Sequence, residues 1–154
     1  MLTKENENLI NEYLDIAVNA SEDMNRFVNL LSDDCVWSLM PPGISINGKE
    51  SVKKFVAFAM RSRKHSNNAN VEIKNWFTDG RKFCVEYFHA ALITIFRIKV
   101  IENVCLVCEM NNGKFNKINE YVDTSGSKLI GLGLKVFSII AKIKKINTTK
   151  TCRK

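Results

Sequence analysis

Residues 81–123 constrain the fold more than any other part of the chain. They form long apolar runs dense in β-formers, at 81–99, 100–111 and 114–123. Asn112-Gly113 separates the last two runs and is typical of a type I′ hairpin turn, because that turn needs a positive φ at both central residues. Asp79-Gly80 marks another hairpin just upstream. The stretch therefore predicts a strongly curved antiparallel sheet.

The part before this stretch has the spacing of three helices. Apolar side chains recur at helical intervals over residues 4–20 and predict an amphipathic helix. Ser21 is the expected N-cap of a second helix that ends near residues 32–34, and Asn47-Gly48 opens a third. Short strands are expected at 35–39 and 71–77. Helices followed by antiparallel strands define an α+β fold.

Charge is divided unevenly along the chain. The net charge is +7, yet residues 1–123 hold 15 basic and 16 acidic residues, whereas residues 124–154 hold eight basic residues and no acidic one. A nucleic-acid-binding domain usually spreads basic residues over its folded face, with aromatic residues between them. The distribution here therefore argues against nucleic acid as a partner.

The basic C-terminal segment has an apolar side as well. Over residues 127–146 a narrow stripe of lysines, glycine and serine recurs at three- and four-residue spacing, and the rest of the circumference is apolar. We expect a helix over residues 126–146 and a disordered basic tail over 147–154. The helix would pack on its own domain or on a dimer partner, or would lie in a membrane interface, while nucleic-acid binding has the least support.

The cysteines and the chain start indicate a reducing, cytoplasmic setting. Residues 1–8 lack the basic start and apolar core of a secretory signal, and no apolar run is long enough to span a bilayer. The five cysteines are scattered and are expected to be free thiols. Cys105 and Cys108, three residues apart on a strand, would point to opposite faces, which favours packing over a metal or redox site.

Four short segments, in this order, resemble the NTF2-like superfamily and most closely its SnoaL-like and limonene-epoxide-hydrolase-like branch. They are FVNLLSDDCVW at 27–37, NGKESV at 47–52, NGKF at 112–115 and EYVD at 120–123. The resemblance implies a single domain over residues 1–125. In it, a bent antiparallel sheet forms a cone-shaped, cystatin-like barrel around three helices and an apolar pocket, often as a homodimer. The superfamily hosts several kinds of enzyme and also plain binding proteins, so the fold alone does not decide the function.

The resemblance also implies which residues face the pocket. One strand would contribute Val85, Tyr87, His89 and Ala91, and the last strand Asn116, Ile118, Glu120 and Val122. Of the epoxide-hydrolase catalytic set, one acid falls on Glu120, while the second acid and the Arg fall on His89 and Tyr87. The water-positioning Tyr and Asn fall on Trp37 and Leu39. In ketosteroid isomerases the general base falls on Leu39 and an oxyanion-stabilising Tyr falls near Tyr13.

His89 and Glu120, facing each other across the pocket, would form an acid–base pair with Tyr87 as a donor. Such a pair suits an isomerase, dehydratase, cyclase or hydrolase acting on a small apolar molecule without a cofactor or metal. The remaining pocket residues that we expect to contact the ligand are Tyr13, Trp37, Leu39 and Ile118. The alternative is a hydrogen-bonded structural His89 and a Glu120 paired with lysine, in a non-catalytic module that binds a lipid-like ligand or a protein.

Overall fold

The structure, a computed structural model, describes residues 1–18, 24–40, 43–64, 70–93, 98–123 and 148–150. Within these residues the helices are α1 (Lys4–Val18), α2 (Met24–Asn29) and α3 (Lys49–Lys64). The strands are β1 (Leu31–Met40), β2 (Ile44–Asn47), β3 (Asn70–Thr78), β4 (Lys82–Ile93), β5 (Ile98–Asn111), β6 (Lys114–Val122) and β7 (Thr148–Lys150).

All the described strands join one curved, unclosed sheet in the order β3-β4-β5-β6-β1-β2-β7. β3 to β6 form an antiparallel meander, as hairpin-connected strands do. β1 returns from the N-terminal half to pair in parallel with β6, and β2 pairs antiparallel with β1. The predicted α+β class is confirmed, although β1 and β2 come before α3 in the chain.

The two predicted turns are both present, with different chemistry. Asn112 has φ 49° and Gly113 has φ 66°, which confirms the tight turn between β5 and β6. The turn between β3 and β4 is longer, and Gly80 adopts φ 92° within it. There the Asp79 carboxylate accepts hydrogen bonds from the backbone N–H groups of Arg81 and Lys82, at 2.8 and 2.6 Å. The side chain thus replaces a backbone partner, as in an Asx-turn.

Several predicted boundaries differ from the structure. α2 ends at Asn29 rather than near residues 32–34, because Leu31 already pairs with Phe115 in the sheet. β2 was not expected, and it follows Gly43, whose φ of 75° turns the chain back along β1. The expectation of disorder over 147–154 is wrong for Thr148–Lys150, which pair with β2 because its outer edge is otherwise open and Thr favours strands. The predicted helix over 126–146 lies outside the described residues.

One hydrophobic core joins the helices to a single face of the sheet, which we call the inner face. An aromatic cluster lies at its centre, where the Tyr13 ring makes edge contacts with Phe83 and Phe115, each at 5.7 Å between centroids. Phe83 and Phe115 are themselves stacked at 6.3 Å. Such aromatic pairs contribute about 0.5–1.5 kcal/mol beyond the area that they bury. The predicted stripe of α1 therefore does cover the sheet.

A β-bulge breaks the alternation of β6 next to this cluster. The register between β5 and β6 shifts between Glu109 and Met110, so Phe115 and Ile118 are both fully buried although they are three residues apart. Beyond the bulge the alternation is regular, and Ile118, Glu120 and Val122 share the inner face. The bulge thus determines which side chains of β6, Glu120 among them, face the inner side of the sheet.

A buried asparagine at the start of α1 ties the two hairpin turns together. Asn6 is 6% exposed, and its side-chain amide donates to the carbonyl of Gly80 at 2.8 Å. Its amide oxygen accepts from the backbone N–H of Gly113 at 3.3 Å. Both turns would otherwise present backbone polar groups to the interior without a partner. Asn6 therefore holds the turn ends of both hairpins against α1.

Replacing Asn6 by Ala should lower the free energy of unfolding by about 1–3 kcal/mol, because two backbone groups lose their partner. Chemical denaturation followed by circular dichroism measures the change. Asn8→Ala is the matched control, since Asn8 lies on the same helix and is exposed. Equal effects of the two substitutions would contradict a structural role for the Asn6 hydrogen bonds.

Asp79 should make the stability depend on pH. Hydrogen bonds from the backbone N–H groups of Lys82 and Arg81 lower the pKa of its carboxyl below the usual 3.8. The stabilisation is therefore fully present above pH 3.8, declines below it, and is lost as the pH falls through the lowered pKa of the folded protein. Asp79→Asn keeps an acceptor oxygen but removes the charge. We expect its thermal midpoint to lie below that of the wild type at neutral pH and to converge with it in acid. A gap that persists unchanged in acid would exclude the charge as its cause.

Candidate functional site

The strand register places a row of inner-face residues across the middle of the sheet. Val85 of β4 pairs with Leu106 of β5, Leu106 with Glu120 of β6, and Glu120 with Leu39 of β1. Val85, Leu106 and Leu39 are all buried, as expected for paired residues on one face. Glu120 is the ionisable member of this row and is half-buried. A carboxylate among apolar neighbours on the inner face is the chemical feature of the site.

Trp37 fixes the position of this carboxylate. Its indole Nε1–H donates a hydrogen bond to Oε2 of Glu120 at 2.8 Å. The register explains the contact, because Trp37 precedes Leu39 by two residues on the same face of β1, and Leu39 pairs with Glu120. Trp37 is only 8% exposed. Glu120 is thus held by a side chain that has little room to move.

Two phenylalanines from the helices support the indole. Phe27 of α2 and Phe55 of α3 lie against Trp37, with ring centroids 5.8 and 5.6 Å away. Both residues fall within the second and third predicted helices, but the sequence did not connect them with the site. Helical periodicity shows which face is buried, and it does not show which strand residue that face meets.

The geometry limits what Glu120 can do chemically. The indole nitrogen is a donor only, so its hydrogen bond favours a carboxylate oxygen that accepts. A carboxylate accepts at about four positions, and the indole N–H is one of the groups that Glu120 contacts. A side chain held in this way can receive a proton from a ligand or accept a ligand's hydrogen bond. Orientation by a second group is also how many general bases are positioned.

Tyr87 and His89, the two predicted catalytic residues of β4, lie at increasing distance from Glu120. Tyr87 packs against the core and is paired with Val104, one inner-face position beyond the row of Glu120. His89 is paired with Glu102, four residues beyond Val85, or about 13 Å along an extended strand. Its side chain lies outside the described part. The pairing of His89 with Glu120 therefore stays a prediction, and the register favours Tyr87 as the nearer partner.

The predicted ligand-contacting residues separate into two groups. Trp37 and Leu39 contact or adjoin Glu120, as described above. Tyr13 contacts Phe83 and Phe115 instead, and Ile118 is fully buried beside them in register with Trp37. The structure therefore gives Tyr13 and Ile118 a packing role in the core, and their contact with a ligand stays a prediction.

Cys105 and Cys108 lie on opposite faces of the sheet. Cys108 is fully buried on the inner face, whereas Cys105 lies on the opposite, outer face, as the spacing predicted.

An open cavity of about 360 Å³ at the start of α3 is lined by Asp33, Asn47, Gly48, Lys49, Glu50 and Ser51, none of which is a predicted site residue. In the part of the chain that the structure describes, no three His, Cys, Asp or Glu residues are grouped to hold a metal ion. No helix among the described residues is long and apolar enough to cross a membrane.

Comparison with known families identifies the class of this domain. The profile of the SnoaL-like domain matches residues 10–118, which is most of the chain. The chain belongs to the SnoaL-like domain family, and the resemblance expected from the sequence is confirmed. No protein with a curated description matches the chain.

Solved structures show the same fold at low identity. An LEH-like epoxide hydrolase from M. tuberculosis is 21% identical with a TM-score of 0.62, over 91% of this chain and 98% of that one. A proposed SnoaL-like polyketide cyclase from Jannaschia is 10% identical with a TM-score of 0.64, over 80% and 90%. An NTF2-like protein of unknown function from Cytophaga hutchinsonii is 13% identical with a TM-score of 0.63, over 77% and 98%. These similarities establish the NTF2-like architecture.

A double-mutant cycle should detect the bond between Trp37 and Glu120. Trp37→Phe and Glu120→Leu each remove one partner of this hydrogen bond, and together they should show a coupling energy of about 1 kcal/mol in the free energy of unfolding. Trp76→Phe is the control, since Trp76 contacts Phe83 rather than Glu120. Its effect should add to that of Glu120→Leu. Additivity in both cycles would mean that the bond does not contribute.

Proposed function

We propose that the protein binds a small, mostly apolar molecule against the inner face of its sheet and that Glu120 is the general base of this site. The supporting observation is the hydrogen bond from Trp37 to Glu120, which orients a carboxylate among buried apolar side chains. A carboxylate acts as a general base when the bound ligand holds the proton to be removed within hydrogen-bond distance of it.

The reaction type follows from the residues at hand. Tyr87 adjoins the row of Glu120 and can donate a hydrogen bond to an oxygen that gains negative charge. His89, two residues further along β4, belongs to the same predicted acid–base set. Removal of a proton next to a carbonyl group fits these roles, and it is the first step of many isomerisations, dehydrations and cyclisations. Among structures of the same fold are a proposed polyketide cyclase and an LEH-like epoxide hydrolase.

Hydrolysis by the epoxide-hydrolase mechanism has less support. The positions that the resemblance assigns to the water-binding Tyr and Asn are occupied by Trp37 and Leu39. Both are buried, and the Trp37 indole N–H is used on Glu120 itself. A leucine cannot hold a water by hydrogen bonding. Proton transfer on the ligand is therefore the reaction that we propose, rather than activation of water.

Proton abstraction can be tested without knowing the natural ligand. Small cyclic ketones of increasing size, incubated with the protein in D₂O, should exchange hydrogen next to the carbonyl, as followed by proton NMR. Glu120→Gln should slow this exchange at least about 100-fold, because general-base catalysis contributes about 10²–10⁴. Glu86→Gln is the control, since Glu86 is exposed on the outer face of β4. Tyr87→Phe should give a smaller loss.

The outcomes separate the proposal from its alternative. Unchanged exchange in Glu120→Gln would remove Glu120 as the base. The second candidate function is non-catalytic binding of a lipid-like ligand, and the apolar side chains that adjoin Glu120 on the inner face support it. Ketones that raise the thermal midpoint of the wild type but never exchange would support that function. If no ketone raises the thermal midpoint and none exchanges hydrogen, both candidate functions are contradicted.

A further inference from the structure

Two cysteines lie together on the outer face of the sheet, away from the site described above. The Sγ atoms of Cys84 on β4 and Cys105 on β5 are 3.5 Å apart. Cys84 is 8% exposed and Cys105 is half-buried, so the pair has one shielded and one accessible thiol. We propose that Cys84 and Cys105 are an oxidative modification site, at which a peroxide converts the two thiols into a reversible cross-strand disulfide.

The register permits the bond and also explains why it would be reversible. Cys84 pairs with Val107 and Cys105 pairs with Glu86, so the cysteines are diagonal neighbours on adjacent antiparallel strands. Diagonal Cα atoms are about 7–8 Å apart, whereas disulfides prefer about 4.4–6.8 Å. Closure must therefore draw β4 and β5 together by on the order of 1 Å. A disulfide that strains its strands is more readily reduced than a relaxed one.

The accessible thiol reacts first. The Cys105 thiolate attacks one oxygen of hydrogen peroxide, an S–O bond forms, the O–O bond breaks, and the departing hydroxide takes up a proton to become water. Cys105 is then a sulfenic acid. The Cys84 sulfur next attacks the Cys105 sulfur, an S–S bond forms, the S–O bond breaks, and hydroxide leaves as water with the Cys84 proton. Two thiols have lost two electrons, and one peroxide has become two waters.

The order of the two steps follows from the surroundings of each cysteine. Burial, followed by the contact with Cys105, raises the pKa of the Cys84 thiol to about 11, so Cys84 is a poor first nucleophile. Its position beside Cys105 nevertheless makes it the nearest thiol for the second step. Cys35 is fully buried and burial raises the pKa of its thiol to about 12, which makes it the natural unreactive control.

The disulfide would lie directly behind the proposed site. Cys84 is followed in the chain by Val85, and Cys105 by Leu106, and these two residues pair in the row of Glu120. Drawing β4 and β5 together on the outer face must change the spacing of that row. Oxidation of the pair would thus alter the shape of the inner face without touching Glu120.

The test uses the full chain with Cys152→Ser, which removes the cysteine outside the described residues. After treatment with hydrogen peroxide, intact mass should fall by two hydrogens, and a peptide map without reductant should show Cys84 joined to Cys105. Dithiothreitol should restore the starting mass. Cys35→Ser should behave like the parent protein.

Trapping with dimedone distinguishes the two roles. Cys84→Ser should accumulate the dimedone adduct of Cys105 several-fold more than the parent, because the second thiol is missing. Cys84→Ala tests the same point if the serine variant fails to fold, as judged by circular dichroism. Equal trapping with and without Cys84, a peroxide-treated protein without the cross-linked peptide, or an unreactive Cys105 would each overturn the proposal.

Discussion

The parallel pairing of β1 with β6 is the constraint on which the rest of the structure depends. It joins the N-terminal half of the domain to the last strand of the meander, and it is the only parallel pairing among the described strands. Its register sets Leu39 opposite Glu120 and Trp37 opposite Ile118. A different register would separate the indole from the carboxylate. Both the core and the candidate site are therefore consequences of this one alignment.

Local sequence signals were sufficient for the meander but not for its assembly. Asn112-Gly113 specified a turn because both residues adopt positive φ there, and the apolar runs on either side specified strands. β1 was predicted only over residues 35–39 and β2 was not predicted. No local pattern indicates that β1 pairs with β6 or that β2 pairs with β7, because these partners lie far along the chain. The bulge beside Glu109 likewise depends on packing around Phe115, which alternation alone does not reveal.

The candidate site could be predicted as a set of residues, but not as a geometry. Glu120 and Trp37 were both assigned to the pocket from the family pattern, yet nothing in the sequence indicated that one hydrogen-bonds the other. The aromatic support of Trp37 by Phe27 and Phe55 was also invisible, since it joins two helices to one strand. In contrast, the opposite orientation of Cys105 and Cys108 needed only the two-residue repeat of a strand. Predictions from the sequence were reliable where one element sufficed and failed where three elements meet.

The tight turn at Asn112-Gly113 has a consequence for how this domain can change over evolutionary time. Because side chains alternate along a strand, a one-residue insertion that slips the β5–β6 pairing would exchange the faces of Asn119, Glu120 and Tyr121. The acid would then meet solvent while an amide or a phenol entered the interior. The same slip would turn the buried Ile118 and the core-packed Val122 outward, so the length of this turn is constrained by the core and by the site together.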